Sequence, residues 1–311
     1  MRGFVANTDW EWFSFLRAQG PLEEINFWRP SARTRFGAIA EGEPFFFKLK
    51  SPHNAIGGFG IYARYSSLPL WLAWDCFDLK NGAPSLPELS ARIAPYNDEA
   101  KTNPGGQFNI GCRMISQPVF FPDGAWVELP DDWSQNIMGG KTYDLASGEG
   151  ARIWSECQLR ASQSALAAGR AVVVAENFHP GYGREQLVRP RLGQGTFRVA
   201  VTDAYGRACA VTTEHSLPVL DVAHIKPYAQ QGPHDVGNGL LLRSDIHRLF
   251  DRGYVTVTKE LKFEVSGRLK QDFENGRTYY ELHGRKIGVP ERAELRPRAE
   301  LLEWHQDNVY R

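Results

Sequence analysis

The sequence predicts an α+β chain of two domains: a β-rich first half, and a second half built on a short hairpin followed by a helix. Short apolar and aromatic runs separated by Gly and Pro fill the first half, a pattern typical of a β-barrel or sandwich. In the second half, a β-branched run at Val219–Ile225 precedes a helix-like stretch between Ser244 and Gly253. A length of 311 residues is sufficient for two hydrophobic cores.

The composition is that of a globular protein. Hydrophobic residues make up 42% and charged residues 23%, which excludes disordered and collagen-like chains. Because 36 basic residues balance 36 acidic ones, a surface for nucleic acid must be local. The four cysteines are far apart and include no Cys-x-x-Cys pair, so we expect neither a disulfide framework nor a cysteine-type zinc site. A reduced, cytoplasmic chain without a transmembrane helix is therefore expected.

The first half contains four strand-like runs and one helix-like run. Gly57, Gly58 and Gly60 lie inside one of the strand-like runs, which indicates a β-bulge or a close approach by another segment. The predicted strands are Glu43–Lys50, Ile56–Ala63, Phe108–Ile115 and Gln117–Phe121, and the predicted helix is Leu70–Phe77.

A connecting region follows. Ala151–Ala168 has helical composition. His179–Gly195 is an irregular stretch that contains one acidic residue and three basic ones, Arg184, Arg189 and Arg191. We therefore expect three parts: a first domain at 1–148, a linker helix with a basic loop at 149–195, and a second domain at 196–311.

The second domain contains the residues with the clearest chemical pattern. Asn238 follows His224 by 14 residues and precedes His247 by nine. His224 ends the predicted strand, and His247 lies in the first turn of the predicted helix, which Ser244 caps and Gly253 ends. A predicted hairpin over residues 254–265 follows.

This arrangement resembles the HNH, or ββα-metal, nuclease family over about Phe197–Val265, with Ala208–Thr212 similar to a first strand. The resemblance implies cleavage of double-stranded DNA with Mg²⁺ or Mn²⁺. His224 is then the general base, because a neutral imidazole accepts a proton from water near neutral pH. Asn238 braces the loop and orients His224. His247 is a metal ligand, and the cation neutralises charge on the leaving 3′ oxygen.

One position departs from the family pattern. Many members carry a metal-binding acid or histidine directly before the base, where this chain has Ala223. Residues two apart on a strand share a face, so Asp221 is the expected replacement ligand. His234 and Asp235 in the following loop are further candidates.

The first half resembles the EVE branch of the PUA-like barrels over about residues 1–145. The resemblance is carried by Asn26–Ser31, Phe45–Lys50, Ile56–Gly60 and Ile110–Phe121. It implies a barrel that accepts a flipped, modified base. EVE–HNH fusions resemble endonucleases that act on DNA containing 5-methyl- or 5-hydroxymethylcytosine. The expected pocket residues are Trp28 as a wall and Asn26 or Ser31 as readers of a base edge.

Further expectations concern DNA contacts and assembly. Arg191, Gln194 and Arg198 flank the second domain and are candidates for phosphate binding. Because one HNH centre cuts one strand, a homodimer is expected. Two alternatives remain open: a non-catalytic reader of modified DNA, and an RNA-binding PUA-like protein.

Overall fold

The computed structural model describes residues 1–102, 108–167 and 192–311. The chain divides into two compact units, Met1–Gly193 and Gln194–Arg311. Both contain helices and strands, which confirms the predicted α+β class. No helix in the described part of the chain has the length and apolarity needed to cross a bilayer.

The first unit is a seven-stranded sheet flanked by helices. The strand order is β2-β5-β4-β3-β1-β7, with β6 paired to β4. The elements are β1 (Arg2–Thr8), α1 (Trp10–Ala18), β2 (Glu24–Arg29), β3 (Pro44–Leu49), β4 (Ala55–Pro69), α2 (Leu70–Phe77), α3 (Leu86–Ile93), α4 (Asp98–Thr102), β5 (Asn109–Phe120), β6 (Val127–Glu128), β7 (Gly140–Asp144) and α5 (Gly148–Ala167).

The β3 strand shows why an uninterrupted aromatic run forms the middle of this sheet. It is buried along its whole length, parallel to β1 on one side and antiparallel to β4 on the other. Alternate side chains point to opposite faces, so Phe45 and Phe47 enter one core and Phe46 enters the other. A strand covered on both faces reads as a continuous hydrophobic run.

The glycines of β4 allow the close approach that the sequence indicates. A Cβ at Gly58 would collide with the Val119 carbonyl, and one at Gly60 would collide with Ile115. The register of β4 against β5 also shifts twice, between Phe59 and Ile61 and again further on. Both the predicted bulge and the predicted close approach are therefore confirmed.

The sheet of the first unit is open. Within the described residues β2 and β7 stand at its two ends, and no pairing joins them. A closed barrel, which the sequence resemblance implies, is thus not found. The predicted strands at Phe108–Ile115 and Gln117–Phe121 form one strand, β5, which turns through a positive φ of 50° at Gln117.

The range that the sequence analysis assigns to a linker begins with a helix of the first unit. Ile153, Trp154 and Cys157 of α5 are buried in the core that also contains Phe46 and Phe59. The Trp154 and Phe59 rings pack in a T-shaped arrangement at a centroid distance of 5.4 Å. The helix therefore belongs to the packing of the first unit.

The second unit contains two small hairpins and several helices. The β8–β9 and β10–β11 pairs are each antiparallel. The elements are α6 (Gln194–Ala204), β8 (Leu220–His224), β9 (Gly239–Arg243), α7 (Ser244–Asp251), β10 (Val255–Val257), β11 (Phe263–Val265), α8 (Arg268–Phe273), α9 (Arg277–Tyr280) and α10 (Ala299–Asn308).

The predicted strand at Ala208–Thr212 is wrong, because this segment consists of turns. It is held by single backbone bonds instead of a ladder: Ala210 N–H donates to the Leu241 carbonyl, and Gly288 N–H donates to the Ala210 carbonyl. The paired strands of this unit's central hairpin are β8 and β9.

A buried histidine fixes α10 to α7. His305 is 2% exposed and stacks on Phe250 at a centroid distance of 3.7 Å. Its Nε2 lies 3.1 Å from the Phe250 carbonyl, which can only accept, so Nε2 carries the proton. Nδ1 then accepts from the Thr256 hydroxyl at 2.9 Å. Burial lowers the pKa of His305 to about 4, which keeps the ring neutral at pH 7.

Candidate active site

The β8–β9 hairpin and α7 form a strand–strand–helix arrangement. His224 pairs with Gly239 at one end of the hairpin and Asp221 pairs with Leu242 near the other. α7 starts at Ser244 with no intervening loop after β9. Arg243 therefore occupies the N-cap position, one residue before the predicted cap, while Gly253 ends the helix at a φ of 74° as expected.

Asn238 ties together the two ends of the loop between the strands. Its side chain is fully buried. Its Oδ1 accepts from Lys226 N–H at 2.9 Å, and its Nδ2 donates to the Lys226 and Pro233 carbonyls, each at 2.9 Å. The Asn238 carbonyl also accepts from Ile225 N–H, directly after His224. The loop is thus clamped on the chain segment that carries the candidate base.

The His224 imidazole stands on an aromatic platform. Its ring is stacked on Phe197 of α6 at a centroid distance of 4.2 Å and an interplanar angle of 17°. Its Nε2 is enclosed and has no hydrogen-bond partner among the described residues. Burial, reinforced by the nearby His234 and His247, lowers the pKa of His224 to about 4. The ring is therefore a neutral proton acceptor at physiological pH.

His247 lies between two carboxylates. Its Nδ1 is 3.9 Å from Asp221 Oδ2, and its Nε2 is 3.3 Å from Asp251 Oδ2. The strand residue Asp221 thus reaches the helix histidine, while Ala223 is fully buried. Carboxylate oxygen is a donor suited to Mg²⁺ or Mn²⁺, and neutral imidazole nitrogen is a common metal ligand; water and phosphate would complete the shell. Among the described residues, no group of three such side chains is arranged for a metal.

The three candidate DNA-contacting residues differ in where they lie in the chain's structure. Arg198 is on α6 with a terminal nitrogen 3.8 Å from Asp221 Oδ1, next to the Asp221–His247 pair. Gln194 is exposed at the start of the same helix. Arg191 lies outside the described residues.

The two further candidates in the hairpin loop have separate roles. The His234 ring is 5.6 Å from that of His224 and 4.5 Å from that of Tyr228, so it belongs to the aromatic surroundings of the candidate base. Asp235 forms an ion pair with Arg298. Asp235 is thereby engaged away from the Asp221–His247 pair.

The first-unit candidates are only partly available to a ligand. Asn26 is fully buried, and its amide donates to Asn81 Oδ1 at 2.9 Å and to Cys112 Sγ at 3.3 Å. Trp28 is partly buried and donates from Nε1 to the Asn81 carbonyl at 2.8 Å. Ser31 is exposed and lines a polar cavity of about 270 Å³. The structure therefore does not place Asn26 where it could read a base edge.

Two site residues were missed by sequence reasoning. Asp251 lies four residues after His247, a spacing that puts two side chains on one helix face, so it could have been found. Phe197 had no comparable signal, because its contact with His224 joins α6 to β8 across 27 positions of chain.

The solved structures that resemble this chain include two distant ones. The mutant ZmASCH protein from Zymomonas mobilis is 12% identical with a TM-score of 0.31, covering 49% of this chain and 96% of that one. The modification-dependent TagI restriction endonuclease is 14% identical with a TM-score of 0.28, covering 98% of this chain and 81% of that one. Both scores are too low to support an argument. No curated protein matches the sequence significantly.

A family model provides the specific result. Residues 209–258 match the HNH endonuclease family, a range that contains β8, β9, α7 and β10 together with His224, Asn238 and His247. This range forms an HNH endonuclease domain, and the chain is a DNA endonuclease.

Proposed function

We propose that this protein hydrolyses phosphodiester bonds in double-stranded DNA that contains modified cytosine, with Mg²⁺ or Mn²⁺ as the cofactor. The observation that carries the nuclease chemistry is the placement of a neutral imidazole, His224, close to the Asp221–His247 pair. A proton acceptor and a pair of metal donors then face the same substrate group.

His224 is the proposed general base. Its Nε2 is enclosed and has no hydrogen-bond partner among the described residues, so in this proposal the attacking water reaches it when the substrate binds. The Phe197 platform restricts the ring to one plane, and the Asn238 clamp fixes the backbone that follows it. Both contacts limit the ring to one orientation, which is what proton transfer requires.

Asp221 and His247 are the proposed metal-binding residues. They fit a divalent cation in donor chemistry, with one carboxylate and one imidazole 3.9 Å apart. When bound, the cation supplies neutralisation of charge on the leaving oxygen. Asp251 is near enough to His247 to accept its second ring N–H, which would orient the ligand.

The modified-cytosine reader is proposed for the first unit. Trp28 and Ser31 lie at and just after the end of β2, and the cavity beside Ser31 also contains Tyr96 and Asn97. Base stacking contributes about 1–3 kcal/mol, enough to offset the few kcal/mol of flipping. In this proposal Asn26 acts indirectly, because the Asn26 amide and the Trp28 indole N–H both donate hydrogen bonds to Asn81.

Assembly and compartment complete the proposal. A double-strand break needs two cuts, so a homodimer would supply two HNH centres. Arg198 and Gln194 would contact the DNA backbone next to the Asp221–His247 pair, together with Arg191. All four cysteines are buried thiols, which supports a reducing, cytoplasmic setting.

The test is plasmid cleavage by the full chain. Unmodified, 5-methylcytosine and 5-hydroxymethylcytosine plasmids are incubated with Mg²⁺ or Mn²⁺. His224→Ala is compared with His215→Ala, a change at an exposed histidine of the same unit. We expect the first to lose about 100-fold or more of the rate and the second to match the unmodified enzyme. Equal cleavage by the His224→Ala variant would overturn the assignment. Tight binding without nicking would indicate a non-catalytic reader, and displacement of modified DNA by tRNA would indicate an RNA-binding protein.

A further inference from the structure

A buried arginine lies in an aromatic cage in the first unit. Arg113 of β5 is 3% exposed, and its guanidinium carbon lies 4.2 Å from the centre of the Phe36 ring. Phe4 and Phe27 stand 5.7 and 5.9 Å away. The Arg113 cage, as these four residues are called below, is on the same face of the sheet as the core that contains Ile115.

The charge of Arg113 is not neutralised within the described residues. No carboxylate of the described residues lies within ion-pair distance of it, and its Nε is enclosed without a hydrogen-bond partner among them. By contrast, the buried acid Glu24 of the same sheet is neutralised by an ion pair with Lys80 at 2.6 Å. An aromatic ring stabilises a cation that lies over the face of the ring, but it leaves the guanidinium N–H donors without acceptors. An unpaired buried charge is costly unless a partner arrives.

Three further arginines lie near the cage, where their charges act on Arg113 or on the neighbouring Tyr62 and Tyr65. Arg29 and Arg35 are exposed, and Arg64 has an enclosed Nε without a partner in the described structure. Burial and the charge of Arg29 lower the pKa of Arg113 to about 9, so the group remains cationic at neutral pH. One acid, Glu41, is close enough to raise the pKa of Tyr62 in the same region. Positive charge nevertheless predominates at this face.

We propose that the Arg113 cage, together with the nearby Arg29 and Arg35, binds an oxyanion of the phosphate type. A guanidinium offers several N–H donors in a planar fork that matches phosphate oxygens, and burial strengthens such bonds. The exposed arginines would attract the anion, and Arg113 would hold it. That the phosphate belongs to DNA rests on the proposed function, whereas the oxyanion site itself does not.

The first test uses the full chain in EDTA and measures thermal unfolding against pyrophosphate concentration, with NaCl added to equal ionic strength. Arg113→Met removes the charge but keeps an unbranched side chain. Lys48→Met is the matched control, because Lys48 is a 6% exposed cation of the same sheet that contacts Trp133 at 5.4 Å. We expect pyrophosphate to raise the Tm of the unmodified protein and of Lys48→Met but not of Arg113→Met.

The second test separates the possible sources of the phosphate. Binding of a labelled 20-base-pair duplex is measured by fluorescence anisotropy in EDTA, so that cleavage does not interfere. If the phosphate is that of DNA, Arg113→Met weakens binding about tenfold or more and Lys48→Met leaves it unchanged. If only the pyrophosphate effect depends on Arg113, the ligand is a small phosphorylated molecule.

The Tm without ligand separates the proposed role of Arg113 from a purely structural one. In our proposal, removal of an unpaired buried charge leaves the Tm of Arg113→Met unchanged or higher, whereas a structural role predicts a lower Tm. Arg113→Lys, which keeps the charge but not the fork, should retain the fold and lose most of the pyrophosphate effect. The proposal is overturned if pyrophosphate leaves the unmodified protein unaffected, or if Arg113→Met responds like Lys48→Met.

Discussion

Asn238 permits a sharp test of the loop clamp. Its side chain makes three hydrogen bonds in a fully buried position. At about 1 kcal/mol each, Asn238→Ala should cost the second unit about 3 kcal/mol. For a unit of this size that corresponds to a fall in Tm of about 10 °C. Differential scanning calorimetry of the full chain at pH 7 measures it.

Asn238→Asp isolates the donor half of the clamp. The carboxylate still accepts from Lys226 N–H, but its second oxygen faces the Lys226 and Pro233 carbonyls, to which the amide donated. We expect this variant to be at least as unstable as Asn238→Ala at pH 7. Repulsion from the two carbonyls raises the folded-state pKa of the new carboxyl. As the pH falls the carboxyl takes up a proton and can donate again, so the stability difference from the unmodified protein should shrink until the pH reaches the unfolded pKa of about 4.

The controls are Asn308→Ala and Asn308→Asp. Asn308 is an exposed asparagine whose amide makes one bond, to the Trp304 carbonyl at 2.8 Å. Both changes should remain within about 0.5 kcal/mol of the unmodified protein. If Asn238→Ala unfolds at the same temperature as these controls, or if the Asn238→Asp deficit does not depend on pH, the loop is not held as described.

Further predictions concern the other site and core residues. Because the pKa of His224 is about 4, the acidic limb of single-turnover cleavage should have its midpoint near pH 4, and a midpoint at pH 6.5 or above contradicts this. Asp221→Asn should weaken Mn²⁺ binding about 10–100-fold by calorimetry, while Asp203→Asn leaves it unchanged; equal affinities would exclude Asp221 as a ligand. Phe197→Leu should lower the cleavage rate without changing DNA affinity, and an unaltered rate would count against the platform. The pKa of His305 is about 4 when folded and about 6.5 when unfolded, so the unfolded state binds the proton first. Stability should therefore fall by about 3 kcal/mol as the pH drops through this window. His305→Gln should make the slope in urea titrations shallower by this amount and leave the contribution of His224, and an identical slope would refute it.

The local parts of the site could be predicted from sequence because each depends on neighbouring residues. The β-branched run gives β8, the apolar stripe gives α7, and the two-residue period of a strand indicates Asp221 in place of Ala223. The structure confirms these elements and places Asp221 3.9 Å from His247. The roles of these residues in catalysis remain proposals.

Non-local contacts account for what sequence could not give. Asn26 is buried and donates to Asn81, 55 residues away, a contact that no local pattern reveals. Closure of the first-unit sheet depends on whether β2 meets β7, two strands more than 100 residues apart in the chain. Ala208–Thr212 has the composition of a strand, yet single bonds to Leu241 and Gly288 hold it as turns. The composition of a segment gives its intrinsic preference for a secondary structure, but its tertiary contacts decide which secondary structure it adopts.

The direct passage from Arg243 at the end of β9 to Ser244 at the start of α7 restricts the lengths that this domain can tolerate. An extra residue at that junction would rotate every later position of the helix by about 100° and carry the His247 ring away from β8. Between His224 and Asn238, by contrast, insertions would extend a surface segment whose ends stay joined by one amide. Variation in length is therefore expected between His224 and Asn238 and excluded between Arg243 and His247.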